Sequence, residues 1–129
     1  MNYSSLLSYE DILSRGYDLK VEGRLVKGDF LTIEDAISQF CYEVVDSIVG
    51  LIEAYRGQLW TLEFIQDMCQ DNLVGAALSY QDALKGAILD QAIFIYENGS
   101  KEASAIVDNN RIEYSPKAMR RLWNFGILR

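Results

Sequence analysis

The stretch TIEDAISQFCYEVVDSIVGLIEAYRG, residues 32–57, decides the fold class. Thr32 supplies a capping oxygen before the first apolar residue, and Gly57 follows Arg56 at the other end. Between these signals, apolar residues recur every three or four positions over about six turns, which is helical spacing. They are Ile33, Ala36, Ile37, Phe40, Cys41, Val44, Ile48, Leu51, Ile52 and Tyr55. The stretch therefore predicts a long amphipathic helix.

Four more helices are predicted on either side of this stretch from the same kinds of signal. A Ser or Thr precedes each apolar pattern, and a glycine or an Asn-Gly pair follows most of them. The predicted ranges are Ser8 to Gly16, Thr61 to about Asp71, Ser79 to Asn98, and Ser115-Pro116 to about Phe125, with Gly126 as the stop. Four tyrosines at helical positions typical of a core are predicted to pack inward: Tyr42, Tyr55, Tyr80 and Tyr96.

Two segments are predicted not to be helical. Residues 17–31 carry glycine turns at Glu22-Gly23 and Lys27-Gly28, which indicate extended chain or a small hairpin. Residues 105–107 and 111–114 flank the turn Asp108-Asn109-Asn110, which predicts a β-hairpin. The expected fold is a single mainly α domain over residues 1–129, with three principal helices, a short β-hairpin and a C-terminal helix. Residues 1–31 form its variable N-terminal helix and turn region.

The composition excludes several classes of protein. Half of the 129 residues are apolar and about a quarter are charged, which is not the composition of a disordered chain. The chain has no His, which removes the usual general base and the usual zinc ligand. Cys41 and Cys69 form no CxxC pair and are predicted to be small buried thiols. With no secretory signal and no apolar membrane span, we expect a soluble protein made in the cytoplasm.

The charge is unevenly distributed along the chain. Its 12 basic and 19 acidic residues give a net charge of −7, which argues against a DNA or anionic-membrane binder. Residues 29–97 contain twelve acidic residues against only Arg56 and Lys85, whereas residues 117–129 contain four basic residues and no acid. An acidic body with a basic C-terminal segment indicates contact with copies of itself or with an acidic partner.

The C-terminal segment, residues 117–129, is the candidate docking element. It combines basic and aromatic side chains, the types most often found as energetic anchors in interfaces. The candidate docking residues are Lys117, Arg120, Arg121, Trp123, Phe125 and Arg129, and Ile127 and Leu128 lie among them. The alternative is that Trp123 and Leu122 cover the core of their own chain. Stacking on single-stranded nucleic acid is disfavoured because the few basic residues of this segment, in an otherwise acidic chain, attract phosphates poorly.

Metal chemistry has one candidate pair. Glu43-x-x-Asp46 has the spacing of the carboxylates that hold Mg²⁺ in all-α nucleotide pyrophosphohydrolases. No basic residue lies near this pair in the sequence to bind a triphosphate. Acidic residues at helical spacing also usually form a solvated face of the helix. We therefore expect no catalytic residue, no metal and no cofactor.

The helix after residue 79 has the most distinctive sequence, LKGAILDQAIFIYEN at residues 84–98. It resembles the corresponding helix of the head–tail connector proteins of tailed bacteriophages, also called adaptor or head-completion proteins. The order of parts is similar over residues 30–129, ending in a Ser-initiated helix and Gly-Ile-Leu-Arg. The first thirty residues depart from the family plan, which leaves open how that end contacts a neighbour.

The resemblance implies a structural virion protein and no enzyme. Such a protein forms a homo-oligomeric ring, expected to be a dodecamer, beneath the portal protein at the head–tail junction. It extends the DNA channel without binding DNA specifically, contacts no membrane, and presents a surface to a tail or stopper protein. Two other functions stay open: an acidic DNA mimic that inhibits a host defence protein, and the Mg²⁺-dependent pyrophosphohydrolase.

Overall fold

The computed structural model describes residues 6–19, 32–57, 64–70, 72–98 and 114–128. Four helices have defined bounds: α1 (Tyr9–Leu13), α2 (Ile33–Arg56), α3 (Ala76–Asn98) and α4 (Pro116–Asn124). Residues 64–68 are also helical, within the range predicted for the second principal helix. Since these described ranges contain no strand, the mainly α class is confirmed. No helix in them is both long and apolar enough to cross a membrane.

The predicted helix starts are confirmed at three of the four helices. Ser8 and Asp11 form a reciprocal capping box at α1. The Thr32 hydroxyl accepts the Asp35 N–H at 3.1 Å at α2. The Ser115 hydroxyl accepts the Ala118 N–H at 3.2 Å at α4. These caps are local in sequence, which is why the pattern of residues alone identifies them.

The start of α3 differs from the prediction. The helix begins at Ala76, directly after Gly75, whose φ of +64° is left-handed. The Ser79 N–H already donates to the Gly75 carbonyl at 3.2 Å, which is a hydrogen bond inside the helix. The Ser79-x-x-Asp82 pattern therefore mimics a capping box one turn inside the true start.

Helix α3 is the central element of the described fold, since α1, α2 and α4 all contact it. Its apolar residues are distributed around the helix, as expected for a helix covered on several sides. One apolar cluster joins α3 to both ends of the described chain. Its largest fully buried members are Leu6, Ile12, Leu19, Ile48, Ile52, Ile65, Leu84, Ile88, Ile95, Tyr96, Leu122 and Ile127.

Most of the two segments predicted to be non-helical lies outside the described residues. In residues 17–31, the structure describes 17–19, where Leu19 is buried and helical rather than extended. The predicted β-hairpin at 105–107 and 111–114 lies outside the described residues except for Tyr114. The Tyr114 hydroxyl donates to the Ser47 carbonyl at 3.2 Å, which connects the start of α4 to α2.

Two glycines inside helices make a matched test of packing. A methyl group on Gly50, in α2, would meet nothing within 4 Å, whereas one on Gly86, in α3, would lie 2.9 Å from the Arg121 guanidinium. We expect Gly50→Ala to raise the free energy of unfolding by about 1 kcal/mol, because alanine favours the helix. For Gly86→Ala we expect a smaller rise in the free energy of unfolding, or a fall, because the Arg121 guanidinium must move away from the added methyl group. Urea unfolding checks both variants, and equal gains would contradict this packing at Gly86.

Candidate functional site

Helix α4 is anchored on α3 by a buried carboxylate. The Asp90 side chain is 3% exposed, and its Oδ2 accepts the Arg121 Nε–H at 3.2 Å. The Arg15 Nη1, from just after α1, lies 3.6 Å from the Asp90 Oδ1. A buried carboxylate is costly unless it is paired, so Asp90 fixes the positions of both arginines. Asp90 thus ties α1 and α4 to one point on α3.

Gly86 lies one turn before Asp90 and makes this ion pair possible. A Cβ atom at this position would lie 2.9 Å from the Arg121 guanidinium. The absence of a side chain therefore lets Arg121 lie flat against α3 on its way to Asp90. Gly86 and Asp90 both belong to the distinctive stretch at residues 84–98.

The beginning of α4 is held by the residue next to Asp90. Gln91 is fully buried, and its Oε1 accepts the Ser115 N–H at 2.7 Å. Ser115, also buried, then caps α4 with its own hydroxyl. Every buried side-chain nitrogen or oxygen in the described part of the chain has a hydrogen-bond partner. Gln91 therefore sets where α4 starts as well as how it packs.

The end of α4 is held by α2. Arg56 donates from Nε to the Ile127 carbonyl at 3.0 Å and from Nη2 to the Gly126 carbonyl at 2.5 Å. Gly126 has a φ of +77°, and the chain reverses there so that the Ile127 N–H reaches the Leu122 carbonyl at 2.9 Å. This reversal is a C-terminal cap that sends the last described residues back into the core.

The inner face of the C-terminal segment belongs to the core of its own chain. Ala118, Leu122, Ile127 and Leu128 are all at most 2% exposed. The alternative of a core role is therefore right for Leu122, and it extends to Ile127 and Leu128. The sequence did not separate these residues from the docking candidates, because the reversal at Gly126 is what turns Ile127 and Leu128 inward.

The outer face of the same segment is exposed. Lys117 and Arg120 point outward, and the side chains of Trp123 and Phe125 are each about half exposed, at 50% and 48%. Tyr55, at the end of α2, is 53% exposed and meets Trp123 edge to face, with ring centroids 6.5 Å apart. We call Tyr55, Lys117, Arg120, Trp123 and Phe125 the aromatic–basic surface.

The remaining docking candidates are placed differently. Arg121 points toward α3 and is engaged by Asp90, so its role in this structure is to orient α4. Arg129 lies outside the described residues. Tyr55 was predicted to be a core residue, and that prediction is wrong because Tyr55 follows the last buried turn of α2. Its signal in the sequence is its place directly before Arg56-Gly57, where the helix ends.

Tyr42 and Tyr80 are likewise more exposed than predicted, at 49% and 40%, whereas Tyr96 is buried as predicted. Tyr96 packs edge to face on Tyr17, with ring centroids 5.9 Å apart. A helical period places all of these tyrosines near an apolar stripe, but only the packing of neighbouring helices decides which rings are covered.

The acidic residues of α2 form its outward face. Asp35 and Asp46 are exposed, and Glu43 accepts the Gln39 amide N–H at 3.2 Å. Within the described ranges, no group of three or more His, Cys, Asp and Glu residues could hold a metal ion. Glu43 and Asp46 thus have the surroundings of a solvated face.

Cys41 and Cys69 form no disulfide. Cys41 is buried in α2, as predicted, and Cys69 is half-buried. Burial, with a smaller contribution from Asp11 and Glu10, raises the pKa of Cys41 to about 12. A thiol with such a pKa is not a nucleophile near neutral pH.

No family model, curated protein or solved structure matches this chain.

Removing the Asp90 charge should loosen α4. We expect Asp90→Asn to lower the free energy of unfolding by about 1–2 kcal/mol, because the pairing with Arg15 and Arg121 is lost while both arginines stay partly solvated. Urea unfolding measures the change. Asp82→Asn, at an exposed position of the same helix, is the control and should stay within about 0.5 kcal/mol of the parent. Equal effects of the two substitutions would contradict the anchor.

Deleting residues 118–129 should unfold the protein. The deletion removes the buried Leu122, Ile127 and Leu128, each contributing roughly 1.5–3 kcal/mol of burial. That sum is comparable to the whole stability of a typical domain, about 5–15 kcal/mol. Circular dichroism and thermal unfolding should show loss of the cooperative transition. A truncated protein that unfolds like the parent would show that α4 is not part of the core.

Proposed function

We propose that this protein is a structural component of a tailed-phage virion, an adaptor that assembles as a ring beneath the portal protein. In this role it extends the channel through which DNA passes and offers an attachment surface to the tail or to a stopper protein. The proposal assigns the chain no catalytic step and no cofactor.

The observation that carries the proposal is the way the distinctive stretch at residues 84–98 holds the C-terminal helix. Three residues of this stretch position α4. Gly86 leaves room for the Arg121 side chain, Asp90 pairs with Arg121, and the Gln91 side chain accepts a hydrogen bond from the Ser115 N–H. A stretch whose polar residues orient a short terminal helix is suited to a protein that presents that helix to a neighbour. The resemblance to head–tail connectors lies in this same stretch.

The charge of the described surface is compatible with a DNA channel. Exposed acids lie on several helices: Glu34, Asp35, Asp46, Glu53, Asp67, Asp82 and Glu97. With a net charge of −7, the chain repels the phosphate backbone rather than adsorbing it. DNA moving through a ring of such subunits would meet like charge and would not be retained.

The aromatic–basic surface supports attachment to a neighbouring protein. Trp123 and Tyr55 expose about half of their area although both are large and apolar. Aromatic side chains beside arginine are the usual anchors of an interface, and here Arg120 lies on the same outward side of α4 as Trp123.

An inhibitor that mimics DNA is the second candidate. It is favoured by the run from residue 32 to residue 55, which contains five acidic residues and no Lys or Arg. Carboxylates arrayed along a helix can imitate phosphates toward a basic host protein. Such a mimic acts as a monomer or dimer and does not need the aromatic–basic surface, so substitutions in that surface distinguish the two functions.

Binding to portal particles tests the adaptor role. The gene should lie beside portal and capsid genes, and the purified chain should co-sediment with particles of the portal protein encoded there. Trp123→Ser should weaken this binding about tenfold or more, because a half-buried aromatic anchor contributes well over 1.4 kcal/mol once an interface covers it. Tyr80→Ser, which removes another partly exposed aromatic ring, should bind like the parent.

A parent protein that does not bind portal particles would contradict the adaptor role. Salt-sensitive binding to a basic host protein, unchanged in Trp123→Ser, would favour the DNA mimic instead.

A further inference from the structure

We propose that the aromatic–basic surface docks onto the outward face of α2 in a second copy of this chain, around Gly50. This inference rests on the proposed function, because it names the neighbour that the surface meets within the ring. The contact is head-to-tail, since each copy contributes α4 to one neighbour and α2 to the other.

The outward face of α2 lacks a side chain at Gly50, which lies between the exposed acids Asp46 and Glu53. Gly50 is exposed in the interior of a 24-residue helix, and a side chain there would meet nothing within 4 Å outside that helix. Glycine weakens a helix interior, and none of the residues that the structure describes fills the space that Gly50 leaves. Ala54, one turn later, is also exposed and small. A bulky side chain from outside can therefore approach the backbone of α2 at this point.

The charges next to Gly50 are opposite to those next to Trp123. Asp46 lies one turn before Gly50 and is exposed, and Glu43 lies three residues before Asp46. On α4, Arg120 lies three residues before Trp123, and Lys117 three residues before Arg120. Neither Asp46 nor Glu43 has a cation from its own chain on α2, where the first basic residue is Arg56.

The two patterns also match in spacing. Lys117, Arg120 and Trp123 extend over about 9 Å of α4, and Glu43, Asp46 and Gly50 extend over about 10.5 Å of α2. When the two helices lie parallel, Lys117 meets Glu43, Arg120 meets Asp46, and the Trp123 ring covers Gly50. The reverse direction would bring Arg120 to Glu53 but would place Lys117 against Arg56, which carries the same charge. The register thus selects a parallel contact.

This contact explains how an acidic chain can meet its own copies. Two molecules of charge −7 repel each other unless their contact pairs opposite charges. Because the two surfaces differ, a repeated contact builds a closed ring or an open chain of subunits. Helix α4 has only nine residues, so each contact is small, weak and dependent on salt.

Self-association of the purified full-length chain tests the inference without any partner. We expect sedimentation velocity to show reversible association that increases with protein concentration and falls in 0.5 M NaCl, a roughly threefold shorter screening length than at 0.05 M. Arg120→Glu and Asp46→Arg should each weaken association about tenfold or more, by placing like charges together. The double variant Arg120→Glu/Asp46→Arg should recover the association of the parent, because the charge pair is restored with reversed sign.

Substitutions at Gly50 provide the matched control for shape. Gly50→Ala adds one methyl group and should still associate, whereas Gly50→Gln fills the space over the helix and should not. Both residues favour the helix more than glycine does, so thermal unfolding should show that both variants are folded. A loss of association in Gly50→Gln is then due to the blocked surface.

Three results would overturn the inference: a parent chain that stays monomeric at all concentrations, a double variant no better than either single one, or equal association of Gly50→Ala and Gly50→Gln. The adaptor role is tested separately by portal binding. A monomeric chain that binds portal particles would contradict the self-contact and leave the adaptor role standing. A chain that self-associates but does not bind portal particles would contradict the adaptor role and leave the self-contact standing.

Discussion

The carboxylate of Asp90 lies almost wholly inside the molecule. Two arginines reach it, Arg15 from near the beginning of the chain and Arg121 from near its end. A buried charge is tolerated when it is paired, so the Arg15 and Arg121 side chains are both held at Asp90. Gly86 provides the space in which Arg121 lies. Through the Asp90–Arg121 pair and the hydrogen bond from the Ser115 N–H to Gln91, α3 fixes the orientation of α4, and that orientation decides which residues of α4 face outward.

That orientation divides the C-terminal segment between two tasks. Leu122, Ile127 and Leu128 complete the core, while Trp123 and Phe125 are left half exposed. The proposed docking role therefore belongs to one face of the segment and not to the segment as a whole. A partner that meets this face meets a helix that is already held by Asp90 on one side and by Arg56 at its end. Holding the surface in place before binding lowers the entropy cost of forming a contact.

Much of the fold could be predicted from the sequence because its signals are local. The caps at Ser8, Thr32 and Ser115 act over three residues, and the long apolar period of α2 needs no knowledge of its neighbours. The start of α3 was misplaced because a serine and an aspartate at capping spacing also occur inside a helix.

The candidate site could be predicted only in part. Basic and aromatic residues near the C-terminus were recognised by type, but their division between core and surface depends on the Asp90–Arg121 pair and on the reversal at Gly126, which are tertiary features. Tyr55 was missed because helical periodicity does not reveal where the core ends along a helix.

The central claim is that α4 is fixed with Trp123 facing outward until another copy covers it. The most direct measurement is acrylamide quenching of Trp123 fluorescence in a Trp60→Phe variant, which leaves Trp123 as the single tryptophan. It should be made in the dispersed protein and in the assembled protein. We expect ready quenching in the dispersed protein, where the Trp123 residue is 50% exposed, and strong protection on assembly. Equal quenching in the two states would contradict the claim.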